Sequence, residues 1–86
     1  MASYQIDWRS SARRELRRLP VGVIARIIES VTALGDNPRP EGCRKLTGSE
    51  RTFRIRIGKY RVVYEVQDDR LLVLIIRVRH RREAYR

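Results

Sequence analysis

The stretch that decides the fold is Phe53-Arg54-Ile55-Arg56-Ile57-Gly58-Lys59-Tyr60-Arg61-Val62-Val63-Tyr64-Glu65-Val66. Phe53, Ile55 and Ile57 alternate with Arg54 and Arg56, the period of a strand with one buried and one wet face. Gly58-Lys59 fits a tight turn. Tyr60, Val62, Tyr64 and Val66 then share one side of a second strand, with Arg61, Val63 and Glu65 on the other. Two alternating runs around a two-residue turn predict an antiparallel hairpin. Successive side chains on a strand point to opposite faces, so each inward apolar residue sends its neighbour outward. One face of the sheet is thereby apolar and the other carries guanidinium groups.

Working outward, Asp68-Asp69 marks a further turn, and Leu71 to Arg79 reads as a longer strand. It is apolar on both faces at first, which suits a central position. It ends in Arg77-Val78-Arg79, where an inward valine separates two arginines, and a basic tail with one aromatic, Tyr85, follows. Upstream, Tyr4, Ile6 and Trp8 alternate with Gln5 and Asp7 as a short first strand. Ser10 or Ser11 is expected to cap a helix whose apolar face is Ala12, Leu16 and Leu19. Pro20 breaks it and suits the first turn of the next. That second helix is expected from about Val21 to Leu34, with Val23, Ile24, Ile27, Ile28, Val31 and Leu34 at helical spacing. Gly35 is the expected C-cap, and the segment to Gly42, with Pro38 and Pro40, is a loop. The expectation is one α+β domain over residues 1–86, in the order β-α-α-β-β-β. A helical hairpin packs on one face of a mostly antiparallel four-stranded sheet.

The chain has 86 residues, with 20 Lys and Arg against 10 Asp and Glu, a net charge of +10. A domain this short has a small core and no room for a large enclosed cavity, so any site should be an open surface groove. Lysine occurs only at Lys45 and Lys59, and arginine favours planar, two-pronged contact with phosphate. A polyanion, RNA first, is the partner this surface suits. The single cysteine, Cys43, cannot form an internal disulfide, and the longest apolar run, Leu71 to Ile76, is far too short to span a bilayer. A cytoplasmic protein without a membrane partner is expected.

One histidine, one cysteine and scattered carboxylates give no recognisable metal-ligand spacing, so neither a metal nor a cofactor is expected. No nucleophilic triad or glycine-rich phosphate loop is visible. What remains is Arg54, Arg56, Arg61, Arg77, Arg79, Arg81 and Arg82, with His80 and Tyr85 among them. RNA cleavage needs no metal, because the 2′-hydroxyl is an internal nucleophile. The protein must hold that hydroxyl in line, stabilise charge on the phosphate and move protons. Arginines perform the second task well and the third poorly, since their pKa lies above about 12.

The run from Arg44-Lys45-Leu46 through Tyr60-Arg61-Val62-Val63-Tyr64, together with the ending His80-Arg81-Arg82-Glu83-Ala84-Tyr85, resembles the RelE family. These are the toxin halves of toxin–antitoxin pairs and share the wider RelE/ParE fold. The resemblance covers nearly the whole chain. It implies a metal-independent endoribonuclease that cuts mRNA in the ribosomal A site and stops translation. By motif, the basic pair of the first hairpin strand falls on Arg54 and Arg56. Arg61 and Arg81 hold and neutralise the scissile phosphate, Arg81 also being the candidate proton donor to the leaving 5′-oxygen, and Tyr85 stacks on a base. Arg77, Arg79 and Arg82 add to the phosphate-binding surface.

The family pattern has lysines on that first strand, one of them a candidate general base, where this chain has two arginines. His80 takes over as candidate base, because imidazole has a pKa near 6.5 when unperturbed. The resemblance also implies a cognate acidic antitoxin over the basic face and, as working partner, the ribosome with mRNA in its A site. The main alternative is a ParE-like toxin on the same fold that poisons DNA gyrase and cuts nothing; a non-enzymatic RNA-binding module is another.

Overall fold

A computed structural model describes residues 3–81 of the chain. Its elements are β1 (Gln5–Trp8), α1 (Ser10–Arg17), α2 (Val21–Ala33), β2 (Arg44–Lys45), β3 (Thr52–Ile57), β4 (Tyr60–Gln67) and β5 (Leu72–His80). The sheet has the order β1-β5-β4-β3-β2. β1 runs parallel to β5, and all other neighbours are antiparallel. The β3–β4 hairpin matches the period-two reading residue for residue, from Thr52 opposite Glu65 to Ile57 opposite Tyr60. Gly58 holds φ at +58°, the left-handed conformation that glycine adopts without a Cβ penalty.

The sheet has five strands rather than the four expected. The addition is β2, whose Arg44 and Lys45 pair with Arg54 and Phe53. Two residues are too few to show a periodicity, so this strand leaves no trace in the pattern.

The core lies on one face of the sheet. Ala12 and Leu16 of α1, Ile27 and Val31 of α2, and Leu34 meet Phe53, Ile55, Ile57, Val62, Tyr64, Val66, Val73, Ile75 and Val78. Burying each such aliphatic side chain contributes about 1.5–3 kcal/mol. Tyr64 is fully buried, and its hydroxyl donates to the Pro38 carbonyl at 2.7 Å. That bond ties the loop after α2 to the core and satisfies a group that would be costly to leave unmet.

One irregularity in β5 decides which way its arginines point. Opposite Val63 and Tyr64 stand Arg77 and Ile75, so β5 carries one extra residue, Ile76, at this point. Before it, Val73 and Ile75 face the core; after it, Val78 does. Without the bulge, the same parity would carry Arg77 and Arg79 inward. The alternation of Arg77-Val78-Arg79 was readable; the shift of phase that makes it compatible with Val73 and Ile75 was not.

Two helix ends differ from expectation. The N-cap of α1 is Arg9, without a side-chain cap bond, and Ser10 and Ser11 lie inside the helix. The helix start is set by the sheet instead, because the Arg9 N–H donates to the Ile75 carbonyl at 2.9 Å. α2 has Leu34 as its C-cap. Gly35 follows, needed for space and not for a left-handed turn. A Cβ there would stand 3.1 Å from the Tyr4 carbonyl oxygen and 3.2 Å from that of Thr32, while the Tyr4 N–H donates to the Gly35 carbonyl at 2.7 Å.

Candidate functional site

The face away from the core carries two cross-strand rows. In the first, Arg44 stands opposite Arg54, Arg54 opposite Val63 and Val63 opposite Arg77. In the second, Arg56 stands opposite Arg61 and Arg61 opposite Arg79. Directly opposed like charges cost a strand pair some stability, and the pairs Arg44–Arg54, Arg56–Arg61 and Arg61–Arg79 concentrate positive charge that favours an anion. Arg61 sits in the middle of the second row and is only 7% exposed. Its guanidinium is thus a source of positive potential set beneath the surface.

A cleft of about 700 Å³ opens beside these rows, lined among others by Arg44, Arg54, Arg56, Arg61, Asn37 and Glu41. It exists because β2 pairs with β3 only at Phe53 and Arg54. Past that point, among the described residues, no strand covers the outer edge of β3. The cleft is an open groove, as a chain this short requires.

The far end of β5 is held on both sides. Toward β4, the Arg81 N–H donates to the Lys59 carbonyl at 2.7 Å, which sets Arg81 beside the β3–β4 turn. Toward α1, the Glu15 carboxylate binds at two points. Oε1 accepts from the Val78 N–H at 3.0 Å, and Oε2 forms an ion pair with Arg79 Nε at 3.0 Å.

The structure brings together Arg54, Arg56, Arg61, Arg77 and Arg79 on one face, with exposed Arg81 two residues past Arg79 beside the β3–β4 turn. His80 stands apart from them. It is opposite Tyr60 and shares that side of the sheet with Val62 and Val78. Its ring meets the Tyr60 ring edge-on, with centroids 5.3 Å apart and planes at 84°. The expectations for Arg82 and Tyr85 lie outside the described residues.

Sequence reasoning gave no site role to Arg44 or to Glu15. Arg44 belongs to the two-residue strand that showed no period. Glu15 did leave a signal: it lies three residues from Ala12 and beside Leu16, near the apolar stripe of a helix otherwise rich in arginine. Among the described residues no group of three or more His, Cys, Asp and Glu side chains could hold a metal ion, and no helix is long and apolar enough to cross a membrane.

Away from this face, Asp68 at the β4–β5 turn accepts from the Tyr4 hydroxyl at 2.5 Å and from Arg39 Nη1 and Nη2 at 3.2 and 2.7 Å. Arg39 also lies over the Phe53 ring, 5.2 Å from its centroid. Hydrogen bonds from Arg39 and then Tyr4 pull the Asp68 carboxyl down to about 2, while the bond to Asp68 pushes the Tyr4 hydroxyl up.

Residues 6–85 match the family described as ParE toxin of type II toxin-antitoxin system, parDE. Toxin RelG of Mycobacterium tuberculosis is 37% identical over 89 residues, covering 96% of this chain and 97% of the relative. The mRNA interferase toxin RelE of Escherichia coli is 31% identical over 87 residues, covering 96% and 90%. The archaeal RelE–RelB complex from Pyrococcus horikoshii contains a chain that superposes with a TM-score of 0.83 at 26% identity, covering 92% of this chain and 96% of that one.

Proposed function

The chain belongs to the RelE family of toxins from type II toxin–antitoxin systems, and from that premise we propose that it cuts mRNA on the ribosome. The observation that carries this reading is the row Arg56–Arg61–Arg79, aligned in register across three strands on an open face. Such a row gathers guanidinium groups where an anionic ligand can bridge them.

The chemistry follows from what these groups can do. Attack of the 2′-hydroxyl on its neighbouring phosphorus builds negative charge on the non-bridging oxygens. Fixed guanidinium groups stabilise that charge without reorganising as it forms. Arg61 is the central element, because its place in the sheet fixes its position most tightly. Arg56 and Arg79 flank it, and Arg81 follows at the strand end toward the leaving 5′-oxygen. Arg44, Arg54 and Arg77 form the parallel row that guides the strand to either side, with Arg82 and Tyr85 extending the surface. His80 remains the candidate base of this end. It stands against Tyr60 on the other side of β5, so it serves only by reaching the phosphate around the end of that strand.

The partners follow from the same face. An acidic antitoxin covers the arginines until the toxin is freed, as the RelE–RelB pairing of the archaeal relative suggests. The ribosome presents the mRNA, and the working compartment is the cytoplasm. The gyrase-poison alternative is not favoured: relatives aligned over nearly the whole chain carry RelE-type names.

The test is cleavage of mRNA on translating ribosomes, read by primer extension. Arg61→Ala should slow cutting by about 10²-fold, the usual cost of removing one charge-stabilising donor, and adding Arg81→Ala should slow it further. Undiminished cutting in the double variant overturns the site. Induction that damages DNA and leaves translation running overturns the activity.

A further inference from the structure

We propose that Glu15 is a positioning residue for the arginine row: it substitutes for the missing continuation of β1 and fixes the guanidinium of Arg79. The proposal rests on reading the row as the RNA site, and it begins from a gap in the sheet. β1 pairs with β5 only from Gln5 opposite Leu72 to Trp8 opposite Ile75. At Arg9 the chain leaves the sheet and starts α1. β5 runs on to His80, and this extension carries Arg77 and Arg79. Among the described residues no strand borders the extension on the β1 side, and a strand edge in that state is open to fraying or mispairing.

α1 fills the gap with one side chain. Glu15 Oε1 accepts the Val78 N–H at 3.0 Å, the work a strand carbonyl would otherwise do. Its other oxygen lies 3.0 Å from Arg79 Nε. One carboxylate therefore sets the backbone of β5 and the head of the arginine beside it. An ion pair at the Nε side confines the near end of the guanidinium, and a confined head presents its outer nitrogens for two-point contact with phosphate.

The sign of the electrostatics separates this role from a bland one. A carboxylate beside an RNA-binding row repels RNA. If Glu15 merely sat there, neutralising it would tighten RNA binding. If it positions Arg79, neutralising it weakens RNA binding although the net charge rises by one.

The experiment uses the full chain, a short single-stranded oligoribonucleotide and the ribosomal cleavage assay. Glu15→Gln keeps an oxygen for the Val78 N–H and loses the ion pair; Glu15→Ala loses both. Amide exchange at Val78 should stay slow in Glu15→Gln and rise about tenfold in Glu15→Ala, which reports the local opening and verifies that the rest of the sheet is intact. Oligonucleotide affinity should fall about fivefold in Glu15→Gln, with no such fall when Arg79 is already alanine, because the two positions are coupled. Unchanged or tighter binding in Glu15→Gln overturns the proposal, as does an equal fall in the Arg79→Ala background. If the wild-type chain neither binds nor cuts RNA, the reading of the row fails on its own. The mobility of the Arg79 guanidinium still decides the positioning in that case. Its NMR order parameter should fall from the rigid range toward the mobile range in Glu15→Gln, and an unchanged value overturns the proposal.

Discussion

At one end of β4, Asp68 accepts from Tyr4 and from both terminal nitrogens of Arg39, which itself lies over Phe53. Seven residues back along the strand, about 23 Å at strand rise, Arg61 has arginines as its register partners on both sides. The two ends use the same functional group for opposite purposes. Arg39 is matched by a carboxylate and joins three segments distant in sequence: the start of β1, the loop after α2 and the β4–β5 turn. Arg56, Arg61 and Arg79 are set beside one another in register, with the Glu15 carboxylate against Arg79 at the end of the row. Ion pairing ties segments together at the first end; like charge is gathered at the second.

The most severe way to break this contrast is to delete Ile76. Removing the bulge residue should carry Arg77 and Arg79 to the core side, at several kcal/mol for each buried ion. That is comparable with the whole stability of a small domain, about 5–15 kcal/mol. The expected outcome is a chain with no cooperative thermal transition by circular dichroism. A native-like transition in the deletion variant sinks the account of the bulge.

A matched pair of substitutions sharpens the comparison. Arg39→Ala should lower stability by about 1 kcal/mol through its ion pair and its place over the ring and leave oligonucleotide binding unchanged. Arg56→Ala should do the reverse. Stability stays level or rises as a like-charge pair disappears. The slope of log affinity against log salt falls by about 0.7, because one phosphate is no longer neutralised. Denaturant titration and binding at three salt concentrations read both. If each variant moves both quantities equally, the ends are not functionally distinct.

The smallest effect is confined to acid. The Asp68 carboxyl sits at about 2 in the folded chain, below the unfolded value near 3.9. The stabilisation it provides is therefore complete above about pH 4 and lost as pH falls toward 2. Asp68→Asn should flatten the pH dependence of stability in that window and leave neutral pH free of any new titration. A wild-type-shaped acid limb in the variant would assign that limb to other carboxylates.

Much of this was legible in the sequence, and the reason is periodicity. Phe53 to Val66 alternates cleanly because one face is dry and the other wet, and α2 repeats at helical spacing because one stripe is buried. The arginine face follows from the same rule. What was hidden depends on single residues or on distance along the chain. A two-residue strand has no period. Ile76 inserts one residue into an apolar run that reads equally well in either phase. His80 looks like a neighbour of Arg79 and Arg81, yet adjacency along a strand is separation across it. Glu15 meets Val78 and Arg79 across more than sixty positions, and only the fold makes them neighbours. Gly35 stands where a helix-ending glycine is expected, yet what requires it is the close approach of the Tyr4 and Thr32 carbonyls.

The parallel pairing of β1 with β5 has a kinetic consequence. Ile6 pairs with Val73 across most of the length of the chain, so the β1 edge of the sheet cannot close early. Long-range pairings of this kind delay folding, because chain entropy is lost before the new interactions repay it. Arg77 and Arg79 ride on the strand that receives β1. The arginine rows themselves need only the β2–β3, β3–β4 and β4–β5 pairings between neighbours in sequence, so they can assemble before β1 docks, while β5 still has an open edge prone to mispairing.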